Sequence, residues 1–231
     1  MILFVGLGNP SPNNQNNRHN IGFKVIDSLN KHFGLSKQKP KFKGLLTTGK
    51  INEEKVFAIK PLTFMNNSGI CIRELIEYFK IDAENIFVFH DDMDIELGKI
   101  RTKFGGSSAG HNGIESLDKH IGNQYSRVRI GINHPDNKSM INTHVLEDFN
   151  SEEEALIKKI TDIIISSIPM LILKDFNKFS NQVNQSIRPN QSHQPNQPNR
   201  PNRPNQPNRS NRPDRSNPPN PPNQSNQPNQ P

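Results

Sequence analysis

Short apolar runs alternate along the chain with segments in which apolar residues recur three and four positions apart. The runs predict buried strands at 2–5, 45–51, 56–59, 86–89 and 127–132, with a more polar strand at 98–104. The helically spaced segments predict helices at 25–33, at 68–79, from Asn112 onward and from Ser151 onward. This alternation predicts an α/β fold, a single domain with a twisted central sheet flanked by helices. A short turn joins 45–51 to 56–59, so the sheet is expected to be mixed.

The helix predicted from residue 151 carries a signal at each end. Ser151 and Glu154 have the spacing of a capping box, in which each side chain bonds the backbone N–H of the other residue, so they are expected to open the helix. Pro169 has no N–H for the hydrogen bond that a helix interior requires, so it is expected to kink or end the helix. The two signals bound a segment with Ile160 and Ile164 on its inward face.

The composition of the chain changes near residue 185. From Arg188 onward almost every residue is Asn, Pro, Gln, Arg or Ser, and such a segment cannot bury enough apolar surface to offset the entropy of ordering the chain. The sequence therefore predicts a folded domain at 1–184 and a disordered low-complexity tail at 185–231. The tail holds six arginines against one acid, so it supplies five of the seven formal net positive charges. The basic character of the chain therefore says little about the domain.

Cysteine content and hydropathy restrict the cellular compartment in which the protein is expected. Cys71 is the only cysteine, which excludes an intramolecular disulfide framework and is typical of a reducing compartment. The apolar segment 1–10 has no basic leader, and we interpret it as a buried strand and not as a signal peptide. The longest apolar stretch, 163–173, contains Pro169 and is too short to span a bilayer. We therefore expect a cytoplasmic protein without membrane contact.

Polar residues with catalytic potential follow the predicted strands, where the loops of an open α/β sheet form its sites. They are a histidine, a carboxylate and three amides, namely His19, Asp91, Asn9, Asn66 and Asn112. A neutral histidine can take a proton from water, and a carboxylate on its other ring nitrogen would fix its tautomer. Side-chain amides can donate to a carbonyl oxygen that gains charge. Since no serine or cysteine lies in a nucleophile motif, the simplest hydrolytic scheme is direct attack by water.

Two other classes of protein fit parts of the same pattern. Gly6-Leu7-Gly8 after a strand resembles the start of a dinucleotide-binding fingerprint, but the third glycine would fall at Ser11 and a helix would have to follow at once. The run His90-Asp91-Asp92-Met93-Asp94 offers oxygen ligands for magnesium and suggests a metal hydrolase, although no second ligand cluster is evident. Each residue also has a purely structural interpretation, such as helix capping by Asn66.

Six segments occur along the chain in a fixed order. They are G-L-G-N-P (6–10), R-H-N-I-G (18–22), K-P-L-T-F-M-N-N-S-G (60–69), H-D-D-M-D (90–94), G-H-N-G (110–113) and R-V-R-I-G-I (127–132). Together they closely resemble the signature segments of bacterial peptidyl-tRNA hydrolases, and the resemblance spans roughly residues 2–180. It implies a monomeric single-domain α/β enzyme that hydrolyses the ester between a peptide and the 3′ ribose of tRNA. It also implies no metal, no cofactor and no obligate protein partner.

The resemblance assigns roles to residues by their positions in and around these segments. It implies that His19 is the catalytic base, that Asp91 is its partner, and that Asn9 distinguishes peptidyl from free aminoacyl esters. Further substrate contacts are implied at Asn14, Phe64, Met65, Asn66 and Asn112, and tRNA phosphate contacts at Lys103 and Arg129. Asn14 stands where the family usually has a tyrosine, so a stacking surface is missing there. Because the presumed catalytic residues are all present, an enzyme is expected in preference to a tRNA-binding protein without turnover.

Overall fold

Seven strands form one sheet at the centre of the computed structural model, which describes residues 1–135 and 137–187. They are β1 (Ile2–Gly6), β2 (Lys39–Lys41), β3 (Gly44–Ile51), β4 (Glu54–Pro61), β5 (Ile86–Asp92), β6 (Ile100–Phe104) and β7 (Ser126–Gly131). Their order across the sheet is β2-β3-β4-β1-β5-β7-β6. The inner strands β4, β1, β5 and β7 are parallel, whereas β2, β3 and β6 are antiparallel to their neighbours. The predicted mixed sheet is therefore confirmed.

Helices cover both faces of this sheet. They are α1 (Ile21–His32), α2 (Ser68–Phe79), α3 (Asn112–Ile121), α4 (Ile141–Leu146), α5 (Ser151–Ser166), α6 (Ile168–Ile172) and α7 (Phe176–Ser186). Residues of α1, α5, α6 and α7 pack with Phe4 of β1 on one face, and residues of α2 and α3 pack with Leu3 and Val5 on the other. Successive residues of β1 thus enter different cores, which explains why this central strand is an uninterrupted apolar run.

The ends of α5 differ in part from the prediction. The capping box is formed by Asn150 and Glu153, one residue earlier than the predicted pair. The Asn150 side chain accepts from the backbone N–H groups of Glu152 and Glu153, and the Glu153 carboxylate accepts from the Asn150 N–H. Asparagine caps a helix as well as serine does, so the sequence offered two overlapping boxes. At the other end, α5 stops at Ser166 and Pro169 lies in the first turn of α6, so the predicted break is confirmed.

Three short elements were not predicted, because little of their surface is buried. All residues of β2 are exposed, α4 has no buried residue among those that the structure describes, and α7 buries only Phe179 and Val183. α7 nevertheless closes one edge of the sheet, since the Asn184 side chain bonds both the N–H and the C=O of Ile100 in β6.

The predicted boundary between domain and tail lies near the end of this helix. Gln185 and Ser186 belong to α7, and the tail from Arg188 lies outside the described residues. Among the helices of the described part, none is long and apolar enough to cross a membrane.

The carboxyl ends of β1, β4 and β5 meet at one edge, because these strands are parallel neighbours. α1 is brought close to this edge by a glycine. A Cβ added at Gly22 would lie 2.4 Å from the backbone nitrogen of Leu7 and 2.4 Å from the carbonyl oxygen of Phe89. Only a residue without a side chain allows the first turn of α1 to approach β1 and β5 so closely. The turn that precedes this glycine carries His19 to the edge of the sheet.

Candidate active site

A buried histidine–carboxylate pair lies at the carboxyl end of β5. His19 belongs to the short turn Arg18–Asn20 that precedes α1, and Asp91 is the penultimate residue of β5. The His19 Nδ1 and the Asp91 Oδ1 are 2.8 Å apart, and both side chains are buried. Because an ionised carboxylate can only accept, Nδ1–H donates and Nε2 keeps its lone pair. The sequence predicted this pair, and the structure brings the two residues together in the geometry of a general base and its orienting group.

Burial and charge act in opposite directions on this pair. Burial lowers the pKa of His19, but the charge and the hydrogen bond of Asp91 raise it further, so the pKa lies above its ordinary value. Burial likewise raises the pKa of Asp91, whereas the charges and hydrogen bonds of His19 and His111 hold it well below its usual range. Asp91 therefore stays ionised across the neutral pH range, so its negative charge lies beside the His19 ring and favours the protonated form of that ring.

A second histidine, His111, bonds the same carboxylate oxygen. Its Nε2 lies 3.0 Å from the Asp91 Oδ1. Its Nδ1 caps α3 by accepting from the backbone N–H groups of Gly113 and Ile114 at 3.1 and 3.2 Å. A nitrogen that accepts from N–H groups carries no proton, so the proton of the neutral ring lies on Nε2 and is donated to Asp91. The sequence prediction selected Asn112 and missed His111, although G-H-N-G contains both residues.

A third histidine, His90, contacts both Asp91 and His111. Its Nδ1 donates to the backbone carbonyl of Asp91 at 2.7 Å, and its ring meets that of His111 edge-on with centroids 4.8 Å apart. Complete burial, and then the charge of His111, keep the pKa of His90 well below its ordinary value. His90 is therefore a neutral ring that fixes the backbone of Asp91 and does not take part in proton transfer at neutral pH.

Asn9, in the loop that follows β1, is fixed by hydrogen bonds to its main chain and to its side-chain oxygen. Its Oδ1 accepts from the backbone N–H of Met65 at 2.9 Å. The Asn20 side chain accepts from the Asn9 N–H and donates to the Asn9 carbonyl, at 2.6 and 2.9 Å. Because its oxygen is already bonded to protein, Asn9 presents its NH2 group as a donor for a carbonyl. Asn20, which was not selected from the sequence, fixes the main chain of Asn9, and the Met65 N–H orients the side-chain amide.

A cavity of about 220 Å³ opens onto the His19–Asp91 pair. His111, Asn112 and residues of α4 also line it, so the structure brings the predicted Asn112 into contact with the same space as the base. The predicted Phe64, Met65 and Asn66 lie beside Asn9, linked to it through the Met65 N–H. Met65 is buried, whereas Phe64 and Asn66 are exposed.

Asn14 lies apart from this cavity. It is half-buried at the end of the short turn Pro12–Asn14, and it is absent from the described residues that line the cavity. Its role in substrate binding stays a prediction.

The two predicted phosphate contacts lie on the outer strands. Arg129 on β7 donates through Nε to the Asp92 Oδ2 at 2.6 Å, and Lys103 on the edge strand β6 is exposed. Arg101 faces Arg129 in the register and Lys103 is two residues further along β6, so the two predicted cations are diagonal neighbours on one face of the sheet. Arg129 lies nearer the carboxyl end of β7 and is paired with Asp92, whereas Lys103 lies opposite Arg127, near the start of that strand.

The structure offers one potential metal-ligand set at this edge among the described residues. The ligand atoms of His19, Asp91 and His111 lie within 4.8 Å of one another, but they already satisfy each other by hydrogen bonds. The alternative set suggested by the sequence depends on Asp92, whose carboxylate is paired with Arg129. A metal ion would therefore have to replace existing bonds in either set.

Comparisons with known proteins agree on one family. The family model described as peptidyl-tRNA hydrolase matches residues 3–192. The chain is 67% identical over 184 residues to the peptidyl-tRNA hydrolase of Pelagibacter ubique, covering 80% of this chain and 99% of that protein. It is 44% identical to that of Azorhizobium caulinodans, covering 80% and 90%. The crystal structure of peptidyl-tRNA hydrolase from Acinetobacter baumannii superposes with a TM-score of 0.75 at 36% identity, covering 80% of this chain and 94% of the other.

Proposed function

This chain belongs to the peptidyl-tRNA hydrolase family of ester hydrolases, and we propose that it cuts the ester between a peptide and the 3′ ribose of tRNA with a water molecule that His19 activates. The observation that carries this mechanism is the 2.8 Å bond between His19 Nδ1 and Asp91 Oδ1. That bond fixes the tautomer in which Nε2 is free to accept a proton. The neutral form of His19 therefore has the tautomer that a general base requires.

The reaction proceeds in two proton transfers. His19 Nε2 takes a proton from water while the water oxygen attacks the ester carbonyl carbon, and the carbonyl electron pair moves to its oxygen. Asp91 stabilises the imidazolium during this step. When the tetrahedral intermediate collapses, the carbon–oxygen bond to the ribose breaks and the imidazolium returns the proton to the departing oxygen. The products are a peptide with a free carboxyl group and a tRNA with a free 3′ ribose.

Two side-chain amides, Asn112 in the cavity wall and Asn9 in the loop after β1, have distinct roles in this proposal. The Asn112 side chain lies at the start of α3, where the helix dipole also favours negative charge, and it donates to the oxygen that gains charge. Asn9 donates to the peptide carbonyl that a free aminoacyl ester lacks. This second contact gives the preference for blocked substrates. Phe64, Met65 and Asn66 complete the substrate surface beside Asn9.

The tRNA partner follows from the family, and we assign its phosphate contacts to Lys103 and Arg129. Basic side chains outside the cavity suit phosphate, because such contacts set affinity and depend on salt. We further propose that the protein works as a monomer in the cytoplasm. The site supports the monomer, since the His19–Asp91–His111 cluster and both amides come from one chain.

Hydrolysis of an N-blocked aminoacyl-tRNA by the purified protein tests the proposal. We expect His19→Ala to lose about 10²–10⁴-fold in turnover, the usual contribution of a general base, while binding of uncharged tRNA persists. The matched control is His32→Ala, since His32 is an exposed histidine near the end of α1. A parent protein that binds tRNA but releases no peptide would favour a tRNA-binding function without turnover. Parent-like turnover by a folded His19→Ala protein would exclude His19 as the base.

A further inference from the structure

The residue before the catalytic base, Arg18, is almost completely buried, with 7% of its surface exposed. A buried guanidinium is unfavourable unless its N–H groups are bonded to partners. Arg18 Nη1 donates to the backbone carbonyl of Asp148 at 2.8 Å and more weakly to that of Glu147 at 3.3 Å. Nη2 donates to the Glu153 carboxylate at 2.8 Å. Arg18 therefore has a fixed position, set by three acceptors.

The backbone around Arg18 is bound to the same segment. The Arg18 N–H donates to the Glu147 carbonyl at 3.0 Å, and Asn17 forms an isolated antiparallel bridge with Asp148. The guanidinium carbon also lies 5.2 Å from the centre of the Phe149 ring, a distance at which a cation and an aromatic face attract. Side chain and main chain thus attach the turn that carries His19 to residues 147–149.

Residues 147–149 connect two elements that matter for the site. α4, which ends at Leu146, contributes Ile141, Asn142 and Val145 to the wall of the catalytic cavity. α5 begins just after this segment, and Glu153 lies in its first turn. Arg18 consequently joins the base, the cavity wall and the start of α5. In the described residues no comparable side chain links these three elements.

We propose that Arg18 is a positioning residue for the reaction, which holds His19 against Asp91 and holds α4 over the cavity through the segment that follows it. Glu153 acts with Arg18 by neutralising the buried guanidinium. This inference rests on the proposed function of His19 as the base. A plain stabilising role would also explain burial, so the test must measure something that stability alone does not change.

The pH dependence of turnover is such a measurement. His19 faces Asp91 from β5 and His111 from the start of α3, and its pKa depends on the balance between burial and the bond to Asp91. When Arg18 is replaced and the turn moves, the bond to Asp91 weakens while burial persists. The pKa of His19 then falls, so the acid limb of the pH profile moves to lower pH. A loss of stability without displacement of the turn leaves this limb unchanged.

The experiment compares three variants of the full chain, Arg18→Met, Arg18→Lys and Glu153→Gln, in hydrolysis of an N-blocked aminoacyl-tRNA. We expect Arg18→Met to lower kcat on the order of 10- to 100-fold, as small displacements of reacting groups do, and to move the acid limb. Arg18→Lys should lose less, because an ammonium keeps the charge but not the forked geometry. Glu153→Gln should also lose less, because glutamine can preserve the capping box.

The matched control is Glu154→Gln, which removes the neighbouring carboxylate from its ion pair with Lys24, 2.7 Å apart. That pair joins α1 to α5 without contacting the turn of His19, so the control should keep the parent kcat and pH profile. If Arg18→Met does not fold, the kcat values and pH profiles of Arg18→Lys and Glu153→Gln test the inference. Parent-like kcat and pH profiles in folded Arg18 variants, or an equal loss in Glu154→Gln, would overturn the inference. A parent protein without turnover would instead refute the proposed function.

Discussion

The substitution Asp91→Asn removes one charge from the centre of the site and little else. The introduced amide has nearly the shape of the carboxylate, and the structure shows which of its atoms must remain an acceptor. His19 Nδ1–H and His111 Nε2–H both donate to the same oxygen, Oδ1. An amide that keeps its oxygen in this place satisfies both histidines, whereas the opposite orientation presents NH2 to two donors. We therefore expect the oxygen to stay and the tautomer of His19 to be preserved.

The size of the effect follows from this geometry. A catalytic histidine held in the wrong tautomer loses about 10⁴-fold in rate, but here only the charge assistance disappears. Hydrogen bonds to charged groups contribute about 1.5–3 kcal/mol, which corresponds to roughly 10- to 150-fold in rate at 1.36 kcal/mol for each factor of ten. We expect kcat to fall within that range. The loss is largest in kcat because the charge stabilises the imidazolium, which exists only after proton transfer.

The pH profile provides a second measure with a definite sign. In the parent, the charge and hydrogen bond of Asp91 outweigh the effect of burial, so the pKa of His19 is raised. Without the charge, burial remains and favours the neutral ring. The acid limb of kcat/KM must therefore move to lower pH, even though the rate falls. A slower enzyme that is active at lower pH distinguishes loss of charge from general damage to the site.

The matched control is Asp92→Asn, the same change at the next residue of β5. Asp92 pairs with Arg129 and not with a histidine, so this variant should keep the acid limb of the parent. Stopped assays of N-blocked aminoacyl-tRNA hydrolysis over a range of pH measure both quantities. A loss near 10⁴-fold would show that the tautomer is not preserved and would refute the shared-oxygen argument. Parent-like kcat together with an unshifted acid limb would show that Asp91 is not the partner of the base.

Three further changes test separate parts of the structure. Asn9→Ala should narrow the ratio of rates for blocked and free aminoacyl-tRNA by about tenfold, the value of one hydrogen bond, and an unchanged ratio would remove Asn9 from substrate selection. Lys103→Gln should reduce the slope of log affinity for tRNA against log salt by about 0.7–0.9 without changing kcat at saturation; an identical slope would contradict a phosphate contact. Gly22→Ala should lower the melting temperature by several degrees, because the new Cβ would clash with backbone atoms of Leu7 and Phe89 at a cost of about 1–3 kcal/mol or more; a parent-like melting temperature would contradict the close approach of α1.

The sequence predicted the elements that bury a regular apolar pattern. β1 was recognisable because both of its faces are covered, so that every residue of Ile2–Gly6 is buried. β2 and α4 were not predicted, because elements without buried residues show no periodic apolar pattern in the sequence. The capping box of α5 was misplaced by one residue because Asn150 and Ser151 are both good caps. Glu153 also bonds Arg18, and this tertiary contact favours the box that contains Glu153.

Site residues could be predicted where the residue type alone indicates a role. They were harder to predict where the role depends on contacts between segments that are distant in sequence. A histidine and a carboxylate after two strands already suggest a base and its partner, and His19 and Asp91 do lie together. His111 bonds Asp91 only because α3 begins close to the end of β5. No local sequence pattern predicts that distance. The same holds for Asn20, whose two bonds to Asn9 link the turn before α1 to the loop after β1.

The start of α3 determines the protonation of the whole cluster. The first N–H groups of a helix lack partners within the helix, and here His111 Nδ1 accepts from two of them. That nitrogen therefore stays unprotonated, and the ring proton remains on Nε2, where it is donated to Asp91. A second donor on the same oxygen makes Asp91 less basic than it would be with His19 alone. Asp91 is thus suited to orient His19 without taking its proton, which is what the proposed mechanism requires of it.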